Sequence, residues 1–368
     1  MKRQPTLVYY ITAHGYGHGV RSCDILRALR QRHPELAVRV VSDLPVDFLR
    51  SRLDLPLEAY RAGSFDVGMV QRDSIRVDVA ATWEAVRQWL GRRRALVEQE
   101  RVFLREARAG AVVCDIPSLP LEAAKAEGLP ALAVGNFSWD WIYEEFLADD
   151  AGWREPINAF QHGYRQADLL LRLPFSEPMQ VFPRRVDLPL VATHGSNRRA
   201  EMAAAYHLDA GKTWVLLSFT TLDWDEAALQ AVAGLRDYVF LTVKPLAWDA
   251  VNICPVDRHR FSFSDVIASA DLVVSKPGYG ILSECAVNEK PLIYAERTHF
   301  REYPILEAAL KEHLRAVHIP AEELYRGHLA PFLEAGAVAA PPRVALETGG
   351  DVRAADLLAG FVTGCVPG

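Results

Sequence analysis

Short apolar runs alternate along the chain with longer segments in which apolar residues recur every three or four positions. A run of four to six apolar residues is typical of a buried strand, and the wider spacing is typical of an amphipathic helix. In the first half, these patterns predict strands over residues 6–11, 37–42, 111–115 and 131–134. They predict helices over residues 22–32, 46–53, 80–107 with a break near Gly91, and 119–127 before Gly128. This alternation indicates a parallel sheet with helices on both faces, whose ligands bind at the carboxyl ends of the strands.

The same alternation starts again in the second half. Strands are predicted over 214–219, 238–243, 272–275 and 292–294, with a helix from Glu226, a short helix capped by Ser264 or Asp265, and a final helix near 351–361. Between about 174 and 199, closely spaced prolines break any regular pattern, which indicates an interdomain connection. The 368 residues also exceed the usual size of one core. We therefore predict an α/β protein with domains at 1–185 and 200–345, and a segment at 346–368 whose helix crosses back to the first domain.

A glycine-rich turn joins the first predicted strand to the first helix. Residues 12–19 read Thr-Ala-His-Gly-Tyr-Gly-His-Gly and include His14 and His18. Glycine lets a ligand approach the main chain, and the start of a helix offers unpaired N–H groups. Histidine is suited to proton transfer near neutral pH. The turn predicts a catalytic site, and the alternative is a structural turn whose histidines cap the helix.

Two further segments are expected at the same edge of the sheet. Asp115 ends a predicted strand, and an aromatic loop over 136–141 follows the next one. Asp115 either accepts a hydrogen bond from a histidine of the first turn, which would orient the ring, or caps the helix that follows. The aromatic residues of the loop, Trp139, Trp141 and Tyr143, either stack on a sugar ring or fill the core.

A second glycine turn follows the predicted strand at 272–275. Residues 276–280 read Lys-Pro-Gly-Tyr-Gly, and Ser283 and Glu284 lie one turn into the next helix. Main-chain N–H groups in such a turn can cradle a pyrophosphate. A carboxylate one turn into the helix can bind ribose hydroxyls. The turn therefore predicts a nucleotide site in the second domain.

Composition narrows the class of protein. Hydrophobic residues make up 50% and charged residues 24%, a soluble globular balance, and the net charge of −6 provides no basic field for nucleic acid or anionic lipid. No signal-peptide pattern and no apolar run long enough to cross a bilayer are found. The scattered cysteines show no CxxC spacing, which argues against a zinc site or a disulfide framework and favours a reducing cytoplasm; they are Cys23, Cys114, Cys254, Cys285 and Cys365.

Four stretches together carry a resemblance to a known family: residues 9–18, 136–143, 171–174, and 276–280 with Ser283 and Glu284. In these stretches the chain resembles the two-domain glycosyltransferases of GT-B fold, and most closely the glycosyltransferase-like N-terminal region of L-arabinokinases and its bacterial relatives. The resemblance covers nearly the whole chain. It includes no glycine- and serine-rich phosphate loop of a sugar kinase, so we do not expect kinase activity.

The resemblance implies a GT-B architecture, in which two Rossmann-like doubly wound domains face each other across a cleft. It implies an acceptor in the N-terminal domain, a UDP-linked sugar donor in the C-terminal domain, and neither a metal nor a further cofactor. The implied catalytic residues are His14 or His18 as the base, with His14 favoured, and Asp115. The implied donor-binding residues are Gly17, Phe261, Ser262, Phe263, Lys276, Gly278, Tyr279, Gly280, Ser283, Glu284, Arg301 and Glu302. The implied acceptor-binding residues are Asn136, Trp139, Asp140 and Tyr143.

One loop departs from the family pattern. Residues 218–221 read Ser-Phe-Thr-Thr, where relatives have a Gly-Gly pair that lets a phosphate come close. The leading interpretation is a metal-independent glycosyltransferase that acts on an acceptor hydroxyl. Two alternatives stay open: a nucleotide-sugar-binding or regulatory module without turnover, and a nucleotide-sugar epimerase or hydrolase on the same fold.

Overall fold

The computed structural model describes residues 6–243, 248 and 250–363, which form two compact units. Unit 1 contains the described residues of Met1–Val70, Asp78–Ala192 and Glu347–Gly368. Unit 2 contains the described residues of Gln71–Val77 and Thr193–Leu346. Of the predicted features, Cys365 lies outside the described residues.

Unit 1 is a parallel sheet with helices packed around it. Its strands are β1 Thr6–Ile11, β2 Ala37–Val41, β3 Tyr60–Arg61, β4 Ala109–Asp115, β5 Ala131–Gly135, β6 Leu169–Arg172 and β7 Arg185–Asp187. Its first six helices are α1 Tyr16–Arg32, α2 Val46–Arg50, α3 Val79–Glu106, α4 Leu119–Ala126, α5 Trp139–Tyr143 and α6 Arg154–Tyr164. The strand order among the described residues is β3-β2-β1-β4-β5-β6-β7.

Unit 2 repeats this plan with a second parallel sheet. Its strands are β8 Thr213–Ser218, β9 Tyr238–Thr242, β10 Ile253–Pro255, β11 Leu272–Ser275, β12 Leu292–Ala295 and β13 Ala316–Ile319, in the order β10-β9-β8-β11-β12-β13. Its helices are α7 Arg199–Tyr206, α8 Glu226–Ala233, α9 Phe263–Ser269, α10 Tyr279–Val287, α11 Tyr303–His313, α12 Ala321–Tyr325 and α13 Ala330–Ala337. The predicted α/β class with two doubly wound sheets is confirmed.

Two segments join a unit from a distance in the sequence. The last helix, α14 Gly350–Thr363, belongs to unit 1 and packs against α1, where Arg32 donates two hydrogen bonds to Asp356. The segment Gln71–Val77 lies inside the range predicted for the first domain and groups with unit 2. Its Ile75 is buried in the apolar core of that unit beside residues of β8.

Several predicted boundaries differ from the structure. Helix α1 begins at Tyr16, well before residue 22, so Gly17 and Gly19, which indicated a turn, lie inside the helix. A Cβ on Gly19 would lie 2.6 Å from the Leu44 side chain. Helix α3 continues through Gly91, since packing of the helix outweighs the cost of about 1 kcal/mol for an interior glycine.

Two further corrections concern the second half of the chain. The range 174–199 is not all connection, because it contains β7, which pairs with β6. The cap of α9 is Ser262, two or three residues earlier than predicted, and its hydroxyl accepts from the Asp265 N–H at 3.1 Å.

Candidate functional site

In each unit, the strand order reverses between two neighbouring strands: β1 and β4 in unit 1, and β8 and β11 in unit 2. In open α/β sheets, ligands bind next to the carboxyl ends of the two strands between which the order reverses. In unit 1, β1 runs into the turn with His14 and His18, and β4 ends at Asp115. In unit 2, β11 runs into the turn at 276–280. Both glycine turns that the sequence singled out therefore lie at ligand-binding edges.

Asp115 is the centre of a buried polar network in unit 1. His18 Nδ1 lies 2.7 Å from Asp115 Oδ1. Arg21 donates to both carboxylate oxygens, from Nε at 2.7 Å and from Nη2 at 2.6 Å, and the Ser22 hydroxyl donates at 2.8 Å. The remaining Arg21 nitrogen, Nη1, donates to Asn136 Oδ1 at 2.8 Å. Helix α1, the end of β4 and the loop after β5 are thus joined at the sheet edge.

The charges of this network determine the protonation of its members. Burial alone would raise the pKa of Asp115, but the Arg21 guanidinium and His18 outweigh it and hold the pKa well below its usual range. Burial and the nearby Arg21 charge lower the pKa of His18 from its ordinary value of 6.5, and Asp115 offsets only part of this. Asp115 is therefore ionised and His18 neutral at neutral pH.

His14 has different surroundings from His18. It precedes α1, whereas His18 lies in the first turn of that helix. His14 Nδ1 accepts a hydrogen bond from the Met69 N–H at 3.3 Å. Its ring meets the Trp139 ring edge to face, with centroids 5.0 Å apart. His18, by contrast, contacts Asp115 directly.

The four residues predicted to bind the acceptor are all buried. Asn136 is held by Arg21, and burial raises the pKa of Asp140. Trp139 is 1% exposed and Tyr143 0% exposed. Stacking on a sugar needs an exposed ring face, so these two aromatic rings act as core residues, the alternative that the sequence left open.

Two residues of the unit 1 edge escaped the sequence analysis. Asp66, from the loop after β3, accepts from the Thr12 hydroxyl and the Trp139 indole, both at 2.8 Å, and burial raises its pKa to about 6. The second is Arg21, which the sequence analysis did not single out. Its position three residues after His18, on the same helix face, was the signal that could have found it.

The turn after β11 has the predicted form in unit 2. Helix α10 begins at Tyr279, and its N-cap residue, Gly278, has no side chain that could accept from the first N–H groups. Gly280 lies in the first turn, where N–H groups have no partner inside the helix. The Ser283 hydroxyl donates to the Tyr279 carbonyl at 2.8 Å. Glu284 is 2% exposed and accepts from Ser264 at 3.2 Å, so it lies beneath the turn.

Two cations flank this turn. Lys276 follows β11 directly, and Arg297 lies two residues after the neighbouring strand β12. Arg297 is 7% exposed, and its Nε and Nη2 atoms have no hydrogen-bond partner within the described residues. Burial and the Arg297 charge lower the pKa of Lys276 to about 7. Burial lowers the pKa of Arg297 to about 9, against the opposing effect of Glu302. Two buried cations this close together can bind an anion, and the sequence analysis did not single out Arg297.

The other predicted donor contacts lie in mixed environments. Phe261 is fully buried, so its ring is a core residue and has no face for a base. Ser262 is exposed as the α9 cap, and Phe263 is half-buried. Arg301 and Glu302 are half-buried at the start of α11. Gly17, in unit 1, lies inside the first turn of α1.

The loop after β8, where relatives have Gly-Gly, is closed by the segment Gln71–Val77. The Ser74 hydroxyl accepts from the Thr220 N–H at 3.2 Å and the Thr221 N–H at 3.1 Å. The Ser74 N–H donates to the Thr221 carbonyl at 3.2 Å. An internal hydroxyl therefore occupies the main-chain donors that a glycine loop would offer to a phosphate.

Comparison with solved structures identifies the architecture. Arabidopsis thaliana UGT89C1, solved with quercetin, superposes with a TM-score of 0.66 at 16% identity, covering 99% of this chain and 100% of the other. The calicheamicin glycosyltransferase CalG4 gives 0.63 at 13% identity, with both chains fully covered. The S. aureus MnaA–UDP structure gives 0.60 at 12% identity, covering 99% and 98%. The chain has the GT-B fold. At such low sequence identities, the similarity establishes a shared fold and nothing about activity.

The GT-B chain also has a curated relative. Arabidopsis thaliana L-arabinokinase is 28% identical over 351 residues, which is 94% of this chain. The match confirms the resemblance to L-arabinokinases, and the chain spans about a third of that relative's length. No family model matches the sequence.

Two kinds of feature are absent from the described residues. No helix in residues 6–243, 248 and 250–363 is long and apolar enough to cross a membrane. Within the same residues, no group of three His, Cys, Asp or Glu side chains could hold a metal ion.

Proposed function

We propose that this GT-B protein transfers a sugar from a nucleoside-diphosphate sugar to an acceptor hydroxyl, with His18 as the general base. The observation that carries the proposal is the 2.7 Å contact between His18 and a buried, ionised Asp115 at the ligand-binding edge of unit 1. A base oriented by a carboxylate is a recurring arrangement for activating a hydroxyl. The sequence favoured His14, and this geometry supports His18.

The contact with Asp115 fixes which nitrogen of His18 can act. A lone pair on Nδ1 would face the carboxylate oxygen at 2.7 Å, so Nδ1 carries the proton and donates it. Arg21 Nη2, 2.9 Å from Nδ1, is a second donor to the same oxygen. Nε2 of the neutral ring therefore holds the lone pair that can take a proton.

In the proposed step, one bond to the anomeric carbon forms as another breaks. His18 Nε2 takes the proton of the acceptor hydroxyl as its oxygen forms a bond to the anomeric carbon of the donor sugar. The bond from that carbon to the diphosphate oxygen breaks, and the nucleoside diphosphate leaves with the electron pair. Asp115 stabilises the imidazolium that forms.

The groups proposed to receive the diphosphate belong to unit 2. The N–H groups at the start of α10 and the cations Lys276 and Arg297 would meet its negative charge. Glu284, proposed for the ribose, lies beneath the same turn and accepts from Ser264. A UDP-linked donor is proposed because several solved neighbours carry UDP or a UDP-sugar enzyme in their names.

The test is release of nucleoside diphosphate from a panel of nucleotide sugars with phenolic and sugar acceptors. His18→Ala should lower turnover at least about 100-fold, the usual contribution of a positioned base. His162→Ala, an exposed histidine on α6, is the matched control and should leave turnover unchanged. On the acidic side, the wild-type rate should fall only below pH 6.5, because the lowered pKa keeps His18 neutral above it.

Two results would contradict the proposal. One is full turnover in a folded His18→Ala variant. The other is conversion of a nucleotide sugar without any acceptor, which would favour an epimerase or a hydrolase.

A further inference from the structure

The two histidines of the first turn lie at opposite ends of a row of aromatic rings. The His18 ring is edge to face with Phe137, with centroids 5.6 Å apart. Phe137 meets Trp139 at 4.9 Å, and Trp139 meets His14 at 5.0 Å. All four belong to the ligand-binding edge of unit 1. The proposed reaction gives a role to His18 only, so the fixed position of His14 needs its own explanation.

The hydrogen bond to His14 Nδ1 selects the tautomer of the ring. The Met69 N–H donates to Nδ1 at 3.3 Å, so Nδ1 holds a lone pair and the proton of the neutral ring lies on Nε2. His18 has the opposite arrangement, since its Nδ1 faces a carboxylate. One histidine therefore presents a lone pair on Nε2 and the other presents a hydrogen on Nε2.

The wall behind His14 is built to hold the ring in this position. Gly68 has a φ of +71°, and a Cβ on it would lie 2.2 Å from His14 Nδ1. The Tyr143 hydroxyl donates to the Gly68 carbonyl at 2.9 Å, which fixes this backbone. The N–H of His14 itself donates to the Thr12 hydroxyl at 3.3 Å. The imidazole is thus held from the ring side and from the backbone side.

We infer that His14 is a neutral hydrogen-bond donor that positions the acceptor through Nε2–H, while His18 takes the proton. The inference rests on the proposed function, because it assigns His14 to the same acceptor. The group it would bind is an acceptor oxygen, a hydroxyl or carbonyl next to the hydroxyl that reacts. His14 is then a positioning residue, and its loss weakens binding of the acceptor without removing the base.

The first test determines the tautomer of His14 by a measurement that does not require enzyme activity. Nitrogen-15 NMR of histidine-labelled full-length protein distinguishes a protonated from an unprotonated ring nitrogen, and His14→Gln and His18→Gln assign the signals. We expect neutral His14 with its proton on Nε2, and neutral His18 with its proton on Nδ1. A His14 ring with its proton on Nδ1 would overturn the inference while leaving the proposed function intact.

The second test is kinetic and uses the acceptor that the panel identifies. His14→Gln keeps an N–H near the position of Nε2 and should stay within about threefold of the wild-type acceptor KM. His14→Ala should raise the acceptor KM about three- to tenfold, the effect of one neutral hydrogen bond. Both variants should keep the acidic limb of the pH profile. An unchanged KM in His14→Ala, or loss of the limb, would refute the role.

A backbone pair supplies the third test. Gly68→Ala should displace the ring and raise the acceptor KM as His14→Ala does. Gly128→Ala is the matched control, because its φ of +69° is nearly the same and a Cβ there meets nothing within 4 Å. Equal effects of the two changes on KM would mean that backbone strain, and not the His14 position, is responsible. If no acceptor reacts at all, the proposed function fails and the tautomer measurement still decides the state of His14.

Discussion

The two ligand-binding edges are built from the same strand–turn–helix plan, yet they differ in whether their buried charges have hydrogen-bonding partners. In unit 1, Asp115 is matched by Arg21, His18 and Ser22 in a buried network. In unit 2, the cation Arg297 is buried with two nitrogens unpartnered within the described residues. A matched network fixes the geometry of its members, whereas an unmatched buried cation costs stability until an anion arrives. One edge is therefore suited to orienting a base, and the other to binding an anionic ligand.

The largest effect is expected at the matched edge. Asp115→Asn keeps the shape but leaves the buried Arg21 charge uncompensated, so the free energy of unfolding of unit 1 should fall by about 3 to 5 kcal/mol at neutral pH. Hydrogen exchange of α1 and β4 amides in the full chain measures this. Asp187→Asn, in an exposed ion pair with Arg172 in the same unit, is the control and should cost less than about 1 kcal/mol.

The pH dependence of that difference sharpens the prediction. The folded pKa of Asp115 is depressed, so its contribution is present above the unfolded value of about 3.9 and is lost as pH falls through the folded pKa. The wild type and Asp115→Asn should therefore begin to converge below about pH 4 and approach each other further as the pH falls toward the folded pKa. A constant difference down to low pH would mean that the charge is not what stabilises the network.

At the unmatched edge, removal of a charge should have the opposite effect on stability. Arg297→Met should leave the stability of unit 2 equal or higher, because a buried cation is removed of which two nitrogens have no hydrogen-bond partner within the described residues. Its affinity for UDP, measured by calorimetry, should fall about tenfold or more, since a hydrogen bond to a charged group is worth about 1.5 to 3 kcal/mol. Arg326→Met, an exposed residue of the same unit, is the control. Lower stability with unchanged UDP affinity would mean that Arg297 has only a structural role. The contrast between the two ligand-binding edges would then be wrong.

The smallest expected effect concerns Lys276. Its lowered pKa of about 7 should rise when a diphosphate binds beside it, so binding should take up a proton above pH 7. UDP affinity should then fall a few-fold between pH 7 and 9. Calorimetry in buffers with different heats of ionisation measures the proton uptake. Lys276→Arg, which stays charged, should abolish it, and equal uptake in this variant would assign the proton to another group.

The sequence predicted the elements that carry local signals. The strands β1 and β11 were placed by short apolar runs, and the structure confirms them. The helix start after β11 is also confirmed, with Gly278 as the N-cap of α10. The contact of Asp115 with a histidine of the first turn was one of two alternatives, and the structure shows it with His18. The other partners across the sheet edge were not predicted. Arg21 and Asp115 are 94 residues apart and Ser74 and Thr221 are 147 apart, and no periodicity within a segment encodes such pairs. Arg297 was missed because a single arginine after a strand has no pattern of its own.

The glycines were also ambiguous in the sequence. Gly17 and Gly19 predicted a longer turn, yet both lie inside α1, and Gly19 lies against the Leu44 side chain. A glycine required for close packing and a glycine required for a turn have the same letter in the sequence. The two roles can be distinguished only from the residues that lie next to the glycine in the folded structure.

Neither unit is a continuous stretch of chain, and this constrains how the protein is made. Unit 1 needs α14, which the ribosome synthesises after all of unit 2, and the core of unit 2 needs Ile75, which comes from before α3. The usual order, in which an N-terminal domain finishes folding before the next is synthesised, is not open to this chain. Until α14 emerges, the face of α1 that it covers stays exposed to water, so a nascent chain stalled before residue 350 should depend on chaperones.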